Sequence, residues 1–286
     1  MKNKIWVSLI SIALVLVCLV AVMGTAVTAS SAEVDLPAEA TYQTAPVKSD
    51  TEQKKDLSFL ARVKELFSNE DYMDAIWTGL EKTLIISVCA ALLGLVLGTL
   101  IAFVAIAKNS PWMYVPKLIC RAFVMVIRGT PMALQLFIMF YVIFAIRGFP
   151  DIITAVIAFG LNSSAYISES IRAGIMSVDI GQTEAGRALG LPVRITMLKI
   201  VIPQAIKNVI PAIGNELIAL IKETSIVSMI GMYDLTMAAK IIGGGNNMAS
   251  YIVPMAVVAL FYLAIVYLLT FGIKLIERRL RASDRN

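Results

Sequence analysis

The sequence predicts an all-α membrane protein in which five helical spans form a core behind an N-terminal leader. Three observations carry this. Of 286 residues, 58% are hydrophobic and 16% charged, against roughly 45–50% and about 25% in an average soluble domain. Mean hydropathy is +0.80, and the apolar residues collect in blocks scaled to a ~30 Å hydrocarbon core, which takes about 20 helical residues to cross. Lys and Arg collect in alternate connections, the charge bias that orients a multi-span chain.

Lys2 and Lys4 precede an apolar run over 5–23, and small residues follow at Ala26 to Ala32. Segment 1–32 therefore reads either as a signal peptide, cut after Ala29 or Ala32, or as an uncleaved signal anchor, since the run exceeds the usual ~7–15 residue apolar region and approaches spanning length. Residues 33–56 are polar and acidic, with Pro37 and Pro46, and read as an extracytoplasmic linker. Over 57–80 the apolar positions Leu57, Leu60, Val63, Leu66, Phe67, Met73, Ile76, Trp77 and Leu80 fall at helical spacing, predicting an interfacial helix feeding the first core span. Core spans are expected at about 84–107, 132–146, 152–167, 210–232 and 252–276, the second and third short enough to recruit flanking residues such as 123–127 and 168–175. Together 57–280 form the transmembrane domain, and 281–286 a short tail.

Lys108, Lys117, Arg121 and Arg128 lie in an acid-free stretch, 108–131. Arg187, Arg194, Lys199 and Lys207 follow the third span, and Lys274, Arg278, Arg279, Arg281 and Arg285 end the chain. Alternating spans put all three groups on one side, the cytoplasmic one, so the core starts outside and the C-terminus ends inside. The net charge of +5 is this bias. With no basic, aromatic-interleaved face, no nucleic-acid partner is expected. The chain has no His, which removes the commonest general base and metal ligand. Cys18, Cys89 and Cys120 have no metal-ligand spacing, so no metal site is expected. A phosphate loop is also missing from the sequence. Gly243-Gly244-Gly245 reads as a flexible extracytoplasmic turn.

Residues 179–203 connect the third and fourth spans. Asp179 and Gln182 have capping-box spacing. Glu184 falls early and Arg187 late in the helix, as its dipole favours. Gly190 suits a left-handed stop, and Pro192 the first turn of the next helix. A short helix at about 179–191 follows, with Ala185, Gly186 and Ala188 keeping one face thin for the approach of another surface.

The loop resembles the signature of type I ABC importer permeases: Glu-Ala-Ala, three residues, Gly, nine residues, Ile, one residue, Leu-Pro. Here it reads Glu184-Ala185-Gly186, Gly190, Ile200, Ile202-Pro203, with Gly186 in place of Ala and Ile202 in place of Leu. Gly186 weakens the helix by roughly 0.5–1 kcal/mol relative to Ala. The resemblance covers about 72–279 and narrows to the polar amino-acid permeases of glutamine, histidine and arginine type. It rests on Gly79-Leu80-Glu81-Lys82-Thr83, Arg128-Gly129-Thr130-Pro131 with Gln135, Ala165-Tyr166 with Glu169 and Arg172, Gly181-Gln182, Pro203-Gln204-Ala205, and Asn215 with Lys222-Glu223-Thr224-Ser225. It implies a five-helix permease core of a cell-membrane importer, without catalysis of its own, that carries a polar amino acid by alternating access. Its implied partners are ABC ATPase subunits, which bind ATP and magnesium while this chain holds no cofactor, a second permease copy or sister permease, an extracytoplasmic substrate-binding protein and membrane lipid. Gly181, Gln182, Glu184, Ala185, Gly186, Gly190 and Pro203 are the ATPase-coupling candidates.

A charge at mid-bilayer costs about 2.5–3.5 kcal/mol, so intramembrane charges mark the bundle interior or a wet pathway. Glu169 and Arg172, three apart, either pair with each other or leave Glu169 to meet an ammonium group in the pathway. Glu216 and Glu223 share a face seven residues apart, and Lys222 serves either a substrate carboxylate or Glu223. Asn162 and Tyr166 lie on or near Glu169's side. These six, Asn162, Tyr166, Glu169, Glu216, Lys222 and Glu223, are the pathway candidates. Asn215 and Gln204 are expected to hydrogen-bond between helices, while Pro203 and Pro211 either bend the start of the fourth span or open it to a cavity. An ion-coupled secondary transporter would not need the loop helix and would usually carry an internal repeat. An intramembrane enzyme would need a nucleophile and base, which the lack of His disfavours.

Overall fold

The computed structural model describes residues 59–108, 110–146, 148–245 and 251–282. The leader, the 33–56 linker and most of the 281–286 tail lie outside them. The elements are all helical: α1 Phe59–Ser68, α2 Glu70–Ile106, α3 Pro111–Gly129, α4 Met132–Ile138 with a π-helical turn Met139–Ile143, α5 Asp151–Met176, α6 Ile180–Ala188, α7 Val193–Thr196 with a second π turn Met197–Val201, α8 Ile202–Glu223 ending in a 3₁₀ stretch Thr224–Ile230, α9 Leu235–Gly244 and α10 Ile252–Ala282. Glu70–Ile106, Asp151–Met176, Val193–Ile230 and Ile252–Leu280 are each long and apolar enough to cross a membrane, and Pro111–Gly129 with Met132–Ile143, bent by 109°, is a fifth when the two halves are taken as one broken span.

The expected interfacial helix over 57–80 is divided. Asn69 leaves helical geometry and its side chain accepts from Tyr72 N at 3.3 Å, capping α2 while α1 packs Leu66 against α10 and α2. The second span recruits residues upstream, as expected, but not as one straight helix. Thr130 is extended (φ −120°, ψ 146°), the conformation that a following Pro131 imposes, and the helix breaks there. The 3₁₀ end of the fourth span closes at Gly231, which has φ +79°. Its two prolines behave differently. Pro203 follows the π turn, whose wider winding gives room to a ring that would clash with the carbonyl four residues back, and Pro211 lies inside a continuous α8.

Close approach of α2 and α5 organises the core. Gly94 and Gly98 form a small-xxx-small pair on α2. A Cβ on Gly94 would come within 2.8 Å of Ser163 Cβ and Oγ, and one on Gly98 within 2.8 Å of the Ser164 carbonyl. Around this seam Ile86, Leu136, Phe159, Leu220 and Val227 form one buried cluster. A second, of Leu66, Ile76, Leu235, Ile242, Val253 and Val257, holds α9. Thus Gly243 and Gly244 are not a flexible turn: they are the last residues of α9, with Gly243 buried under Tyr251. The α9 N-terminus is fixed by Asp234, whose carboxylate accepts from Met237 N at 2.7 Å and Thr236 N at 3.0 Å. Burial holds this carboxyl above the usual range, an effect that those amides and the Thr236 and Tyr262 hydroxyls offset only in part. Outward, Leu92, Val96 and Phe103 of α2 and Leu260, Leu263, Leu268 and Phe271 of α10 are exposed, the apolar surface that lipid covers.

Gly98→Leu is expected to cost about 1–3 kcal/mol by overpacking, lowering the melting temperature of the detergent-purified protein. Gly272→Ala, in α10 with open space around it, is expected to raise stability by roughly 0.5–1 kcal/mol in the same melt.

Candidate functional site

Two sets of residues stand out: the α6 loop at one end of the bundle, and a polar cluster where the bent span meets α5. In the loop, Asp179 caps α6 by accepting from Gly181 N at 2.7 Å. The return arm of the expected capping box is not made. The Gln182 side chain turns to α8 instead, accepting from Gln204 Nε2 at 3.3 Å. Two residues the sequence places 22 apart thus bridge α6 and α8. A second bridge runs from Asn208 Nδ2 to Ser177 Oγ, 2.9 Å. The helix stops as expected at Gly190, with φ +76°; Gly190 N bonds to the Arg187 carbonyl and Leu191 N to the Gly186 carbonyl, both at 3.0 Å. Pro192 sits one position earlier than expected, as the N-cap of α7.

Of the coupling candidates, Gln182, Glu184, Ala185, Gly190 and Pro203 are exposed, Gly181 is half-buried and Gly186 is buried. The thin face therefore divides. Ala185 and Ala188 face outward, whereas Gly186 faces inward onto Thr196, because the turn at Gly190 folds α7 back across α6. Large apolar side chains are exposed along this segment, Ile180 (72% exposed), Leu189 (80%), Val193 and Leu198, as are Arg187 and Arg194.

The break at Thr130 explains the Arg-Gly-Thr-Pro element with Gln135. Ending α3 frees its last carbonyls, and Gln135 Nε2 donates to them, 2.7 Å from Ile127 O and 3.1 Å from Thr130 O. Its Oε1 then accepts from Asn162 Nδ2 at 3.0 Å. Asn162 is almost fully buried, and this bond fastens α5 to the bend. Arg128, the last cation before the break, reaches α5. Its guanidinium lies 5.2 Å from the centre of the Tyr166 ring and 3.8 Å from Glu169 Oε2. Arg172 grips the same carboxylate, with Nη2 at 2.7 Å and Nε at 3.1 and 3.2 Å. Two guanidiniums thus face one carboxylate, and the cluster carries a net positive charge on a half-exposed surface. The loop reading of 108–131 gives no sign of this role for Arg128, which sits in the last turn of α3, a helix that packs on α5.

Glu216 and Glu223 are half-buried on α8, Glu216 beside Ser163 of α5. Lys222 and Asn215 are exposed there. These residues do not join the Arg128–Glu169 cluster. Among the described residues no group of three acidic, Cys or His side chains could hold a metal ion.

Residues 94–282 match the family described as binding-protein-dependent transport system inner membrane component, and the chain belongs to that family. It is similar to the arginine transport system permease protein ArtQ of Bacillus subtilis, 40% identical over 211 residues that cover 73% of this chain and 94% of that one. It is also similar to a putative glutamine transport system permease protein, GlnP, of Rickettsia typhi, 41% identical over 201 residues, 69% of this chain and 89% of the relative. A crystal structure of an amino acid ABC transporter with histidines contains a chain that matches with a TM-score of 0.69 and 37% identity, covering 78% of this chain and 99% of that one. The protein is therefore a membrane permease component of a transport system rather than an enzyme.

Replacing Gln135 by Leu leaves the Asn162 amide and the Ile127 carbonyl without partners. The expected cost is about 1–3 kcal/mol, read as a lower thermal midpoint, and Asn162→Leu in the same background should add little.

Proposed function

We propose that this permease carries a polar amino acid into the cell as part of an ATP-driven importer, and that the α6 loop is where ATPase subunits dock. The observation that carries the docking is the capped α6 helix, which with its C-cap exposes Ile180 and Leu189 as well as Gln182, Glu184 and Ala185. Large apolar side chains exposed in a polar connection mark partner surfaces. Lys and Arg bias supports placing the loop and the C-terminus in the cytoplasm, with the start of the core outside. In this reading the ATPases bind ATP and magnesium. A second copy or sister permease completes the pathway, a binding protein delivers substrate from outside, and closure of the ATPases drives alternating access. With the leader over 1–32 as either a signal peptide or an uncleaved anchor, the 33–56 linker belongs to the outer side.

Amino-acid transport is supported by the arginine and glutamine permeases and by the amino acid transporter structure, to which the chain is similar. The Arg128–Glu169–Arg172 cluster suits a zwitterion: Glu169 offers its carboxylate to an ammonium group, and the excess guanidinium charge attracts a carboxylate. Tyr166 borders this place. Glu216, Lys222 and Glu223 are pathway positions on the neighbouring span, while Asn162 acts through Gln135 on the shape of the bend.

Glu184→Lys is expected to remove the co-purifying ATPase from the tagged complex and abolish uptake. Uptake and ATPase retention both at wild-type levels would sink the docking reading. Glu169→Gln is expected to leave the ATPase bound but to reduce uptake of radiolabelled arginine and glutamine by about tenfold, roughly 1.4 kcal/mol; unchanged transport kinetics would rule out a direct role for Glu169.

A further inference from the structure

Gly186 stands where the permease signature has Ala, and the structure gives a reason for it. A Cβ on Gly186 would fall 2.8 Å from Thr196 Cγ2 and 2.9 Å from Thr196 Oγ1. Thr196 cannot easily yield. It is fully buried, β-branched and so stiff at χ1, and its hydroxyl donates to the Pro192 carbonyl at 3.3 Å. The glycine is thus the socket into which α7 inserts Thr196. On the same side of the loop the Gln182–Gln204 and Ser177–Asn208 hydrogen bonds tie the α5–α6 region to the first two turns of α8. The Gln182–Gln204 bond joins α6 directly to α8, which carries Glu216, Lys222 and Glu223; the Gly186–Thr196 contact joins α6 to α7, which runs on through the π turn into α8, and the Ser177–Asn208 bond ties the end of α5 to α8.

We propose that the Gly186–Thr196 socket and the Gln182–Gln204 bridge make α6 and α8 move as one rigid body, with Thr196 and Gln204 as positioning residues that transmit movement of the docked loop to the fourth span. The proposal rests on the docking reading above. Packed elements transmit displacement because they are close-packed and resist compression, and a bond across the seam prevents slip. One consequence is specific to this chain. Restoring the family's alanine at 186 harms transmission while Thr196 is present, and Thr196→Ala relieves it, since the closest remaining Thr196 atom is then Cβ at 3.4 Å.

The test uses the full transporter with its ATPase in lipid vesicles, the cysteines at 18, 89 and 120 replaced by Ser. Spin-label pairs are placed at Ala188 and Ile206, and at Val96 and Ile206, all exposed positions, and distances are read without nucleotide and after trapping with ATP and vanadate. In the otherwise wild-type protein the 188–206 distance is expected to stay fixed while the 96–206 distance shifts. Gly186→Ala and Gln204→Leu are each expected to retain the ATPase, broaden the 188–206 distribution and lose most of the 96–206 shift. Gly186→Ala with Thr196→Ala is expected to recover it. Gln204→Leu adds no bulk at the socket and serves if Gly186→Ala does not fold. A changed 188–206 distance on trapping, an unmoved α8, or a full 96–206 shift in the folded single variants overturns the proposal. So does failure of Thr196→Ala to restore the shift in a folded Gly186→Ala protein. Loss of the ATPase from either single variant also overturns it, because the contact would then shape the docking surface; failure of the docking reading itself is seen separately, in an ATPase that stays on Glu184→Lys.

Discussion

The seam between α2 and α5 is the constraint on which the rest of this bundle depends. Lipid offers apolar side chains no gain over water-excluded packing, so helices in a membrane associate through backbone proximity and shape. Gly94 and Gly98 supply that proximity, set against Ser163 and Ser164. With α5 held there, its buried face meets the bent span at Asn162 and Gln135, and its end delivers Ser177 and Asp179 to the loop. The polar cluster and the α6 loop are therefore two ends of one positioned helix. Glu169 lies seven residues before the end of α5, about 10 Å along the axis at 1.5 Å per residue.

The electrostatics follow from the same placement. A carboxylate at membrane depth is tolerated when charge-assisted hydrogen bonds satisfy it, and Arg172 on the same helix does this locally. Arg128 then adds a second cation from another element, so the group is over-compensated rather than neutral. Stacked near Tyr166 and half-exposed, Arg128 keeps part of its hydrogen-bonding capacity open toward the surface.

Much of this was legible in the sequence because the signals are local. Apolar run length placed four of the five spans, and cap chemistry located α6: Asp179 and Gly190 act where they were expected. Three things were not legible. The capping-box spacing of Asp179 and Gln182 gave no warning that Gln182 would bond to Gln204, since a side-chain amide has several partners within reach and only the fold selects one. The glycine triplet read as flexible because glycine lacks a side chain, yet α9 uses that absence to admit Tyr251. Likewise Gly186 looked like a weak helix position when it is a close contact, because a missing Cβ costs helix propensity and permits packing by the same property. Arg128 is the clearest case: its target lies 41 residues away on another helix, and no periodicity encodes which helices pack together.

That bend also bears on how the chain enters the membrane in the first place. The half after the break, α4 and its π turn, is 12 residues long, well under the ~20 that partition as an independent span. The half before it carries Lys117, Arg121 and Arg128. Neither half is a good insertion signal alone, and the freed carbonyls at Ile127 and Thr130 would be costly in lipid until Gln135 meets them. The bond from Asn162 of α5 to Gln135, which in turn meets those carbonyls, ties the cost of the break to the presence of α5: the bent segment and its neighbour are satisfied together and not separately.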